Sequence, residues 1–433
     1  MIKSVATYSL IIFLYLNPLH VFATVVPCGK GTKLSTLQSA IASAKDYDTL
    51  SIQAGTYAEG NIEINKPLSL IANGKVIIDG KFKCEVITIK SNNVLLKGLH
   101  VRNSSNLSSI DIAGIKVLAS KNVILDNNIV EKCSFGIYLS NTKNCKVQNN
   151  FISGNVLVNQ NIGNGIHVWK ADSTFILNNE ITNQRDGIYF EFVTHSTITK
   201  NFSHNNLRYG LHFMFSHNNT YTSNQFTENG AGVAVMYSHH VSMKYNVFNK
   251  NWGASSYGLL LKEINDSEIQ ENSFSFNTAG IYMEGSNRVI MVQNNFSNNG
   301  WALRIQASCS DNIISKNNFI GNTFDVSTNG ETQLSNFNSN YWDKYEGYDL
   351  NRDGFGDIPY RPVSLFSVIV EQLPPSLLLI RSFMVYLLDK AEKIIPSLTP
   401  AYLIDNQPIT KLISLENIPL AKASEKQKKK TSN

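Results

Sequence analysis

From about residue 60 to residue 325 the chain alternates short apolar runs with polar, asparagine-rich breaks at a nearly fixed interval. An apolar residue after an Asn-rich turn recurs at Ile129, Phe151, Ile181, Phe202, Phe226, Phe248, Phe274, Phe296 and Phe319, with gaps of 22, 30, 21, 24, 22, 26, 22 and 23. Glycine before an aliphatic residue recurs in phase, at Gly114, Gly136, Gly165, Gly187, Gly210, Gly232, Gly258 and Gly280. Two independent markers at one period mean a solenoid. The apolar runs are short and β-branched or aromatic, as in Gly187-Ile188-Tyr189-Phe190, and no 3.6-residue periodicity lies between them. Short strands joined by Asn turns fit an all-β fold, a right-handed parallel β-helix of about ten coils of roughly 22 residues, with Asn at corners needing left-handed backbone angles. Longer gaps near Asn155 to Asn161 and Asn251 to Ser256 read as loops leaving one corner. Leu34 to Ala44, with Leu37, Ile41 and Ala44 on one face, predicts a short helix capping the first coil.

Strand alternation separates inside from outside. The first and third residues after each repeat glycine are apolar and point inward. The second and fourth point outward, in columns reading His167, Tyr189, His212, Ala234, Leu260, Tyr282 and Trp169, Glu191, Met214, Met236, Lys262, Glu284, extending to Arg304 and Gln306. Stacked coils place Met214 over Met236 and His217 near His239 at the end of the same strand. His204, His240 and Met243 are close in sequence. Thioether and imidazole ligands suit copper, above all Cu(I). The candidate copper ligands are therefore His212, Met214, His217, Met236 and His239. The remaining exposed ladder is His167, Trp169, Tyr189, Glu191, Tyr282 and Glu284. Such a ladder also arises where aromatic and Met side chains cover a sheet beneath a packed loop, or form a face for protein or carbohydrate.

Many β-helices of this size are polysaccharide lyases or epimerases, which cluster carboxylates on adjacent coils. Asp186, Glu191 and Glu284 are the acids available, yet three coils intervene between Glu191 and Glu284, and no acid pair repeats across neighbours. The pattern favours a binding scaffold over an enzyme, so no catalytic residue is assigned.

The 433 residues carry a formal charge of +5, much of it in the terminal run Lys426, Lys428, Lys429 and Lys430. No basic stripe continues from that run, so nucleic acid is not an expected partner. Lys3, the apolar run Tyr8 to Leu16 and Val21-Phe22-Ala23 read as a cleaved signal peptide, predicting export to a periplasm. The five cysteines match no disulfide or metal spacing and suit buried coil positions.

Beyond Phe324 the character changes. Asp349, Asn351, Asp353 and Asp357, with Gly354 sixth from Asp349, resemble the start of a calcium loop. The closing Glu is absent and Tyr360 stands in its place, so an Asp-rich turn without metal fits as well. Pro374-Pro375 then opens an apolar stretch, Ser376 to Leu388, read as one helix continuing to Lys393 and ending at Pro396. It is too short to span a bilayer. Either it caps the last coil or it docks on a membrane-embedded partner through Leu379, Arg381, Phe383 and Tyr386. The resulting organisation is 1–23 signal peptide, 24–60 N-terminal cap, 61–325 repeats, 326–400 C-terminal cap and docking helix, and 401–433 tail.

The runs Asn340-Tyr341-Trp342-Asp343, Gly347 to Val363, Leu379-Ile380-Arg381-Ser382 and Pro396 to Pro400 resemble the NosD family. So do the coil phrases Gly210 to His217 and Ala231 to Ser238. The resemblance implies a periplasmic β-helix accessory protein of an ABC-type ATPase and its permease, needed to assemble the copper–sulfur centre of nitrous oxide reductase. That reductase and a copper chaperone would be its clients. It also implies copper binding, carried here onto the five His and Met residues named above. Pro408-Ile409-Thr410-Lys411 departs from the family's closing segment, where a Met is expected, which puts a C-terminal copper site in doubt.

Overall fold

The computed structural model describes residues 24–106, 111–154, 162–330 and 334–414. The proposed signal peptide, the loop at Asn155 to Asn161 and the lysine run lie outside the described residues. The chain winds as a right-handed parallel β-helix of about 13 turns. Among the described residues twelve strands, from Ile62–Ile64 to Phe324–Ser327, stack in chain order as one lateral sheet. The other two sides join in a 24-stranded sheet. Coiling begins before residue 61, because Val25–Cys28 already pairs in parallel with Thr49–Tyr57. Between them α1, Leu37–Ser43, buries Leu37, Ala40 and Ile41 over the first coil. Lys66 Nζ donates to the carbonyls of Ile41, Ala42 and Ala44, three groups left open at the C-terminal end of α1.

A ladder of buried asparagines sets the register. Asn128, Asn150, Asn179, Asn201, Asn224, Asn246, Asn272, Asn294, Asn317 and Asn340 follow one another at 22, 29, 22, 23, 22, 26, 22, 23 and 23 residues. Each Nδ2 donates to the next Oδ1 at about 3 Å and to a carbonyl of the preceding coil, as Asn224 Nδ2 does to Asn246 Oδ1 at 3.0 Å and Ile198 O at 2.8 Å. Three of those intervals correct the sequence-based spacing. The inward column reads Val130, Ile152, Ile181, Ser203, Phe226, Phe248 and Phe274, whereas Ile129, Phe151 and Phe202 face outward. A one-residue slip moves a strand residue to the opposite face, and apolar residues on both sides of the pleat hid it.

The αL corner is also not an asparagine site by necessity. Lys200, Ser223, Tyr245, Glu271 and Gln293 hold positive φ immediately before ladder asparagines. Asparagine is required one residue later, where a buried amide must donate and accept between coils. The repeat glycine answers a different constraint. A Cβ on Gly187, Gly210, Gly232 or Gly258 would lie 2.3–2.7 Å from the carbonyl oxygen of the next coil's glycine.

Inside, the rings of Phe226, Phe248, Phe274, Phe296, Phe319 and Trp342 stack with centroids 4.1–5.5 Å apart. Cys28, Cys133, Cys145 and Cys309 are buried in coil positions as expected, Cys84 is half-buried, and all five are free thiols. At the C-terminal end, residues assigned to a tail close the stack instead. Asp405 is fully buried and accepts from Asn340 N, Asn340 Nδ2 and Trp342 Nε1.

The apolar C-terminal stretch is not one helix. Leu365–Gln372 forms α2, Pro374–Leu379 a 3-10 turn, and Phe383–Ile394 forms α3. The chain breaks at Ser382, whose side chain accepts from Val385 N as the N-cap of α3. Phe366 and Val370 of α2 and Val385 of α3 pack with Phe324. Glu371 fixes α2 to the lateral sheet through paired bonds to Arg304 at 2.9 and 2.8 Å and a bond from Ser327 at 2.7 Å.

Candidate metal centre on the lateral sheet

The candidate ligands rest on three successive strands of the lateral sheet, Ile188–Thr194, Tyr209–Met214 and Ala231–Met236. Their inward residues Ile188, Phe190, Leu211, Phe213, Val233 and Val235 are fully buried, which fixes the strands against the core. The outward columns fall in register as alternation predicts. Tyr138, His167, Tyr189, His212, Ala234, Leu260, Tyr282 and Arg304 are successive partners, and so are Trp169, Glu191, Met214, Met236, Lys262 and Glu284.

Outward does not mean exposed at the middle of this face. His212 is 5% exposed, Ala234 0% and Leu260 9%. Rings at the first position of a strand lean onto this column, with Tyr209 4.9 Å from His212 and Tyr257 5.1 Å from Tyr282. Sequence alternation separates inward from outward positions but does not show that a ring at the first residue of a strand lies against a neighbouring outward side chain. On the N-terminal side the rings turn their faces on each other. Tyr138 stacks on His167 at 4.6 Å, and His167 on Tyr189 at 4.8 Å. Asn164 Nδ2 lies 2.9 Å from His167 Nδ1, and burial, with Arg185 nearby, holds the His167 pKa down to about 4.

His212, Ala234, Met214 and Met236 form a square. His212 and Met214 sit two residues apart on one strand and share its outer side, and Ala234 and Met236 are their respective partners on the next. Both Met side chains are half-buried. Tyr189 Oη donates toward Met214 Sδ at 3.6 Å and toward Glu191 Oε2 at 3.2 Å. Around His212 Nδ1 lie Arg208 Nη2 at 3.4 Å and Asp186 Oδ2 at 3.9 Å. His212 Nε2 is buried and has no hydrogen-bond partner.

The other two candidate ligands lie elsewhere. Phe215 and Tyr237 take positive φ and end their strands, so His217 and His239 stand around the corner from the Met pair and not at the end of its strand. Their rings stack at 3.9 Å, and His239 Nδ1 meets His240 Nδ1 at 2.7 Å. His204 faces Glu180 on another strand, and Met243 is buried in the core. Of the remaining ladder, Lys170 Nζ lies 4.3 Å from the Trp169 ring, Glu284 pairs with Lys262 at 3.3 Å, and Arg304 lies 5.5 Å from Tyr282.

Two contributors escaped the sequence reading as parts of this centre, Asp186 and Arg208. Asp186 stands one residue before Gly187 and Arg208 two before Gly210, so their repeat positions differ by one and the period does not pair them. Asp186 is fully buried and accepts from Arg208 Nε at 2.9 Å, Arg208 Nη2 at 2.6 Å and Tyr209 N at 3.3 Å.

The proposed calcium loop holds itself together. Asp349 accepts from Asp353 N and Gly354 N, Asp357 from Leu350 N, Asn351 from Asp353 N, and Asp353 from Phe355 N. Among the described residues no three His, Cys, Asp or Glu side chains are grouped to hold a metal ion. The expected docking residues are exposed, with Phe383 at 73%, Tyr386 at 55% and Leu379 at 53%, and Arg381 beside them. Among the described residues no helix is long and apolar enough to cross a membrane.

Residues 151–351 match the family described as periplasmic copper-binding protein (NosD), and residues 57–181 match the right-handed beta helix region. A Pseudomonas aeruginosa protein named "Probable ABC transporter binding protein NosD" is 28% identical over 388 residues, 85% of this chain and 90% of the relative. A Stutzerimonas stutzeri protein of the same name is 27% identical, covering 83% and 86%. The fold resembles the catalytic unit of a GH87 α-1,3-glucanase from Streptomyces thermodiastaticus, with TM-score 0.57 and 13% identity over 75% of this chain and 66% of that one. A Yersinia enterocolitica family 28 exopolygalacturonase gives TM-score 0.50 and 12% identity over 72% and 78%. Those structures share the fold alone, whereas the sequence matches extend over most of the chain and support a place in the NosD family.

Proposed function

We propose that this protein is a periplasmic copper-binding component that works with an ABC-type transporter in assembling the copper–sulfur centre of nitrous oxide reductase. The observation carrying the copper reading is the buried, unpartnered Nε2 of His212 beside the in-register pair Met214 and Met236. A buried polar nitrogen without a partner costs about 1–3 kcal/mol, and a bound metal ion would relieve that cost. One imidazole and two thioethers, with the small Ala234 completing the square, suit Cu(I). His217 and His239 fit a separate surface position for the same ion, through which it would enter or leave. The names carried by the family and its two relatives support the binding role over catalysis.

The partner reading rests on the C-terminal module. Leu378 is 90% exposed, Ile394 78%, Phe383 73%, Leu373 64% and Met384 63%, so large apolar side chains face outward from one short module, as at interaction surfaces. Such a surface fits the periplasmic side of a permease. The polysaccharide reading is weaker, because the stacked Tyr138, His167 and Tyr189 rings leave few faces free for a sugar.

The copper reading is tested with the double variant M214A/M236A, titrated with Cu(I) against a competing chelator. Loss of high-affinity binding with unchanged melting is expected, and unchanged competition would overturn it. The client reading is tested by purifying nitrous oxide reductase from cells with and without this protein and counting its copper and inorganic sulfide. A fully loaded reductase in the deleted strain would refute it.

A further inference from the structure

We propose that Asp186 is the positioning residue of this centre, selecting the ring tautomer of His212 that leaves Nε2 free to bind a metal. The inference rests on the Cu(I) reading of His212, Met214 and Met236 given above. An imidazole that ligates through Nε2 while neutral carries its proton on Nδ1, and that proton needs an acceptor. The groups recorded around His212 Nδ1 are opposed. Arg208 Nη2, at 3.4 Å, only donates, so by facing Nδ1 it favours the tautomer with the proton on Nε2. Asp186 Oδ2, at 3.9 Å, only accepts while ionised, and favours the tautomer with the proton on Nδ1. A shift of less than about 1 Å brings that carboxylate into hydrogen-bond range.

Asp186 is also the better anchored of the two. Its side chain is fully buried and tied to Tyr209 N at the start of the next coil's strand, whereas the Arg208 side chain is 48% exposed. A carboxylate fixed to the strand that carries His212 holds the ring in place, while the guanidinium balances its charge from the solvent side. At the neighbouring imidazole of the same column, His167, the group facing Nδ1 is an amide. There the side-chain partner is Asn164.

The test uses the full mature chain and Cu(I) alone. D186N should lower Cu(I) affinity about 10- to 100-fold. X-ray absorption at saturating Cu(I) should then show the two sulfur ligands retained and the nitrogen ligand lost, a change that a purely structural role would not produce. D186E keeps a carboxylate acceptor within reach of Nδ1 and is expected to retain the nitrogen ligand, which keeps the proposal testable should D186N fail to fold. A D186N protein with unchanged affinity and a retained nitrogen ligand, or a folded D186E protein that has lost the nitrogen ligand, overturns the role of Asp186. H212F and M214A/M236A separate the two levels. If neither weakens Cu(I) binding, the metal-site reading itself fails and this inference with it. If both weaken it and D186N does not, only the positioning role falls.

Discussion

Asp405 Oδ2 accepts a hydrogen bond from Asn340 Nδ2 at 3.1 Å, with both side chains buried. Along the stack each ladder asparagine receives the acceptor oxygen of the next coil, so the last one lacks a partner unless something outside the repeat supplies it. A carboxylate is well suited, because it only accepts, and this one takes five donors: Ser339 N, Asn340 N, Asn340 Nδ2, Trp342 Nε1 and Gln407 N. The segment beyond residue 400 is thereby part of the fold.

D405A should accordingly cost at least about 3 kcal/mol, since several buried donors lose their acceptor at once. The loss should be local. Hydrogen exchange at Asn340 and Trp342 should accelerate strongly while the amides around Asn150 keep their protection. Uniform loss of protection along the stack would argue against the capping role.

The repeat glycine predicts a sharp contrast. A Cβ on Gly232 would meet Gly258 O at 2.3 Å, whereas one on Gly253 has its nearest neighbour, Ser256 Cβ, at 3.5 Å. G232A should destabilise by roughly 1–3 kcal/mol or more, and G253A should stay within about 0.5 kcal/mol. Denaturant titration of the two variants side by side decides it.

Asp325 links stability to pH. It is fully buried where the C-terminal cap meets the last coil, 3.4 Å from Lys344 Nζ and 3.3 Å from Tyr360 Oη. Burial raises its pKa to about 6, against the partial counter-effect of Lys344. In the unfolded chain the group ionises near 3.9. Below that value its contribution is fully present, and it is lost as pH rises toward and through about 6. The size is about 3 kcal/mol, from roughly 1.4 kcal/mol per pH unit. D325N should therefore gain stability relative to the parent between pH 4 and pH 7. Parallel melting curves across that range would count against this assignment.

Arg304 holds the C-terminal module to the lateral sheet through Glu371, whose side chain is 9% exposed. R304A leaves that carboxylate without its ion pair and should weaken the attachment by roughly 2–3 kcal/mol. Limited proteolysis within residues 373–400 should accelerate while the melting of the coil stays in place. An unchanged cleavage rate would mean that the Phe324 and Phe366 contact suffices.

The exposed apolar surface makes a separable prediction. L378E/F383E places charge on side chains that are 90% and 73% exposed, so melting and Cu(I) binding should not change. Co-purification with the ATPase and permease after mild detergent extraction should be lost. Retention of the complex would move the docking surface elsewhere.

Sequence periodicity determined the solenoid, its parallel strands and the sorting of Ile188, Tyr189 and Phe190 into core and surface. These are local properties, repeated often enough that chance patterns average out. Met214 and Met236 were legible as neighbours for the same reason, since one period separates them and one coil rise joins them. Register was less secure. Ile129, Phe151 and Phe202 carry apolar side chains on the outer face, and only the hydrogen-bonded asparagine ladder, which the sequence does not display as bonds, corrects the slip. Tertiary structure alone decided that His217 and His239 part from the Met pair, because positive φ at Phe215 and Tyr237 turns the chain at residues whose type does not announce it. It alone buried His212 beneath Tyr209 and brought Asp186 and Arg208 to its ring. It alone closed the asparagine ladder with Asp405, 65 residues further along the chain. Periodicity encodes which residues repeat, but a contact between a corner and a strand, or between a cap and a coil, depends on side-chain directions that no single repeat contains.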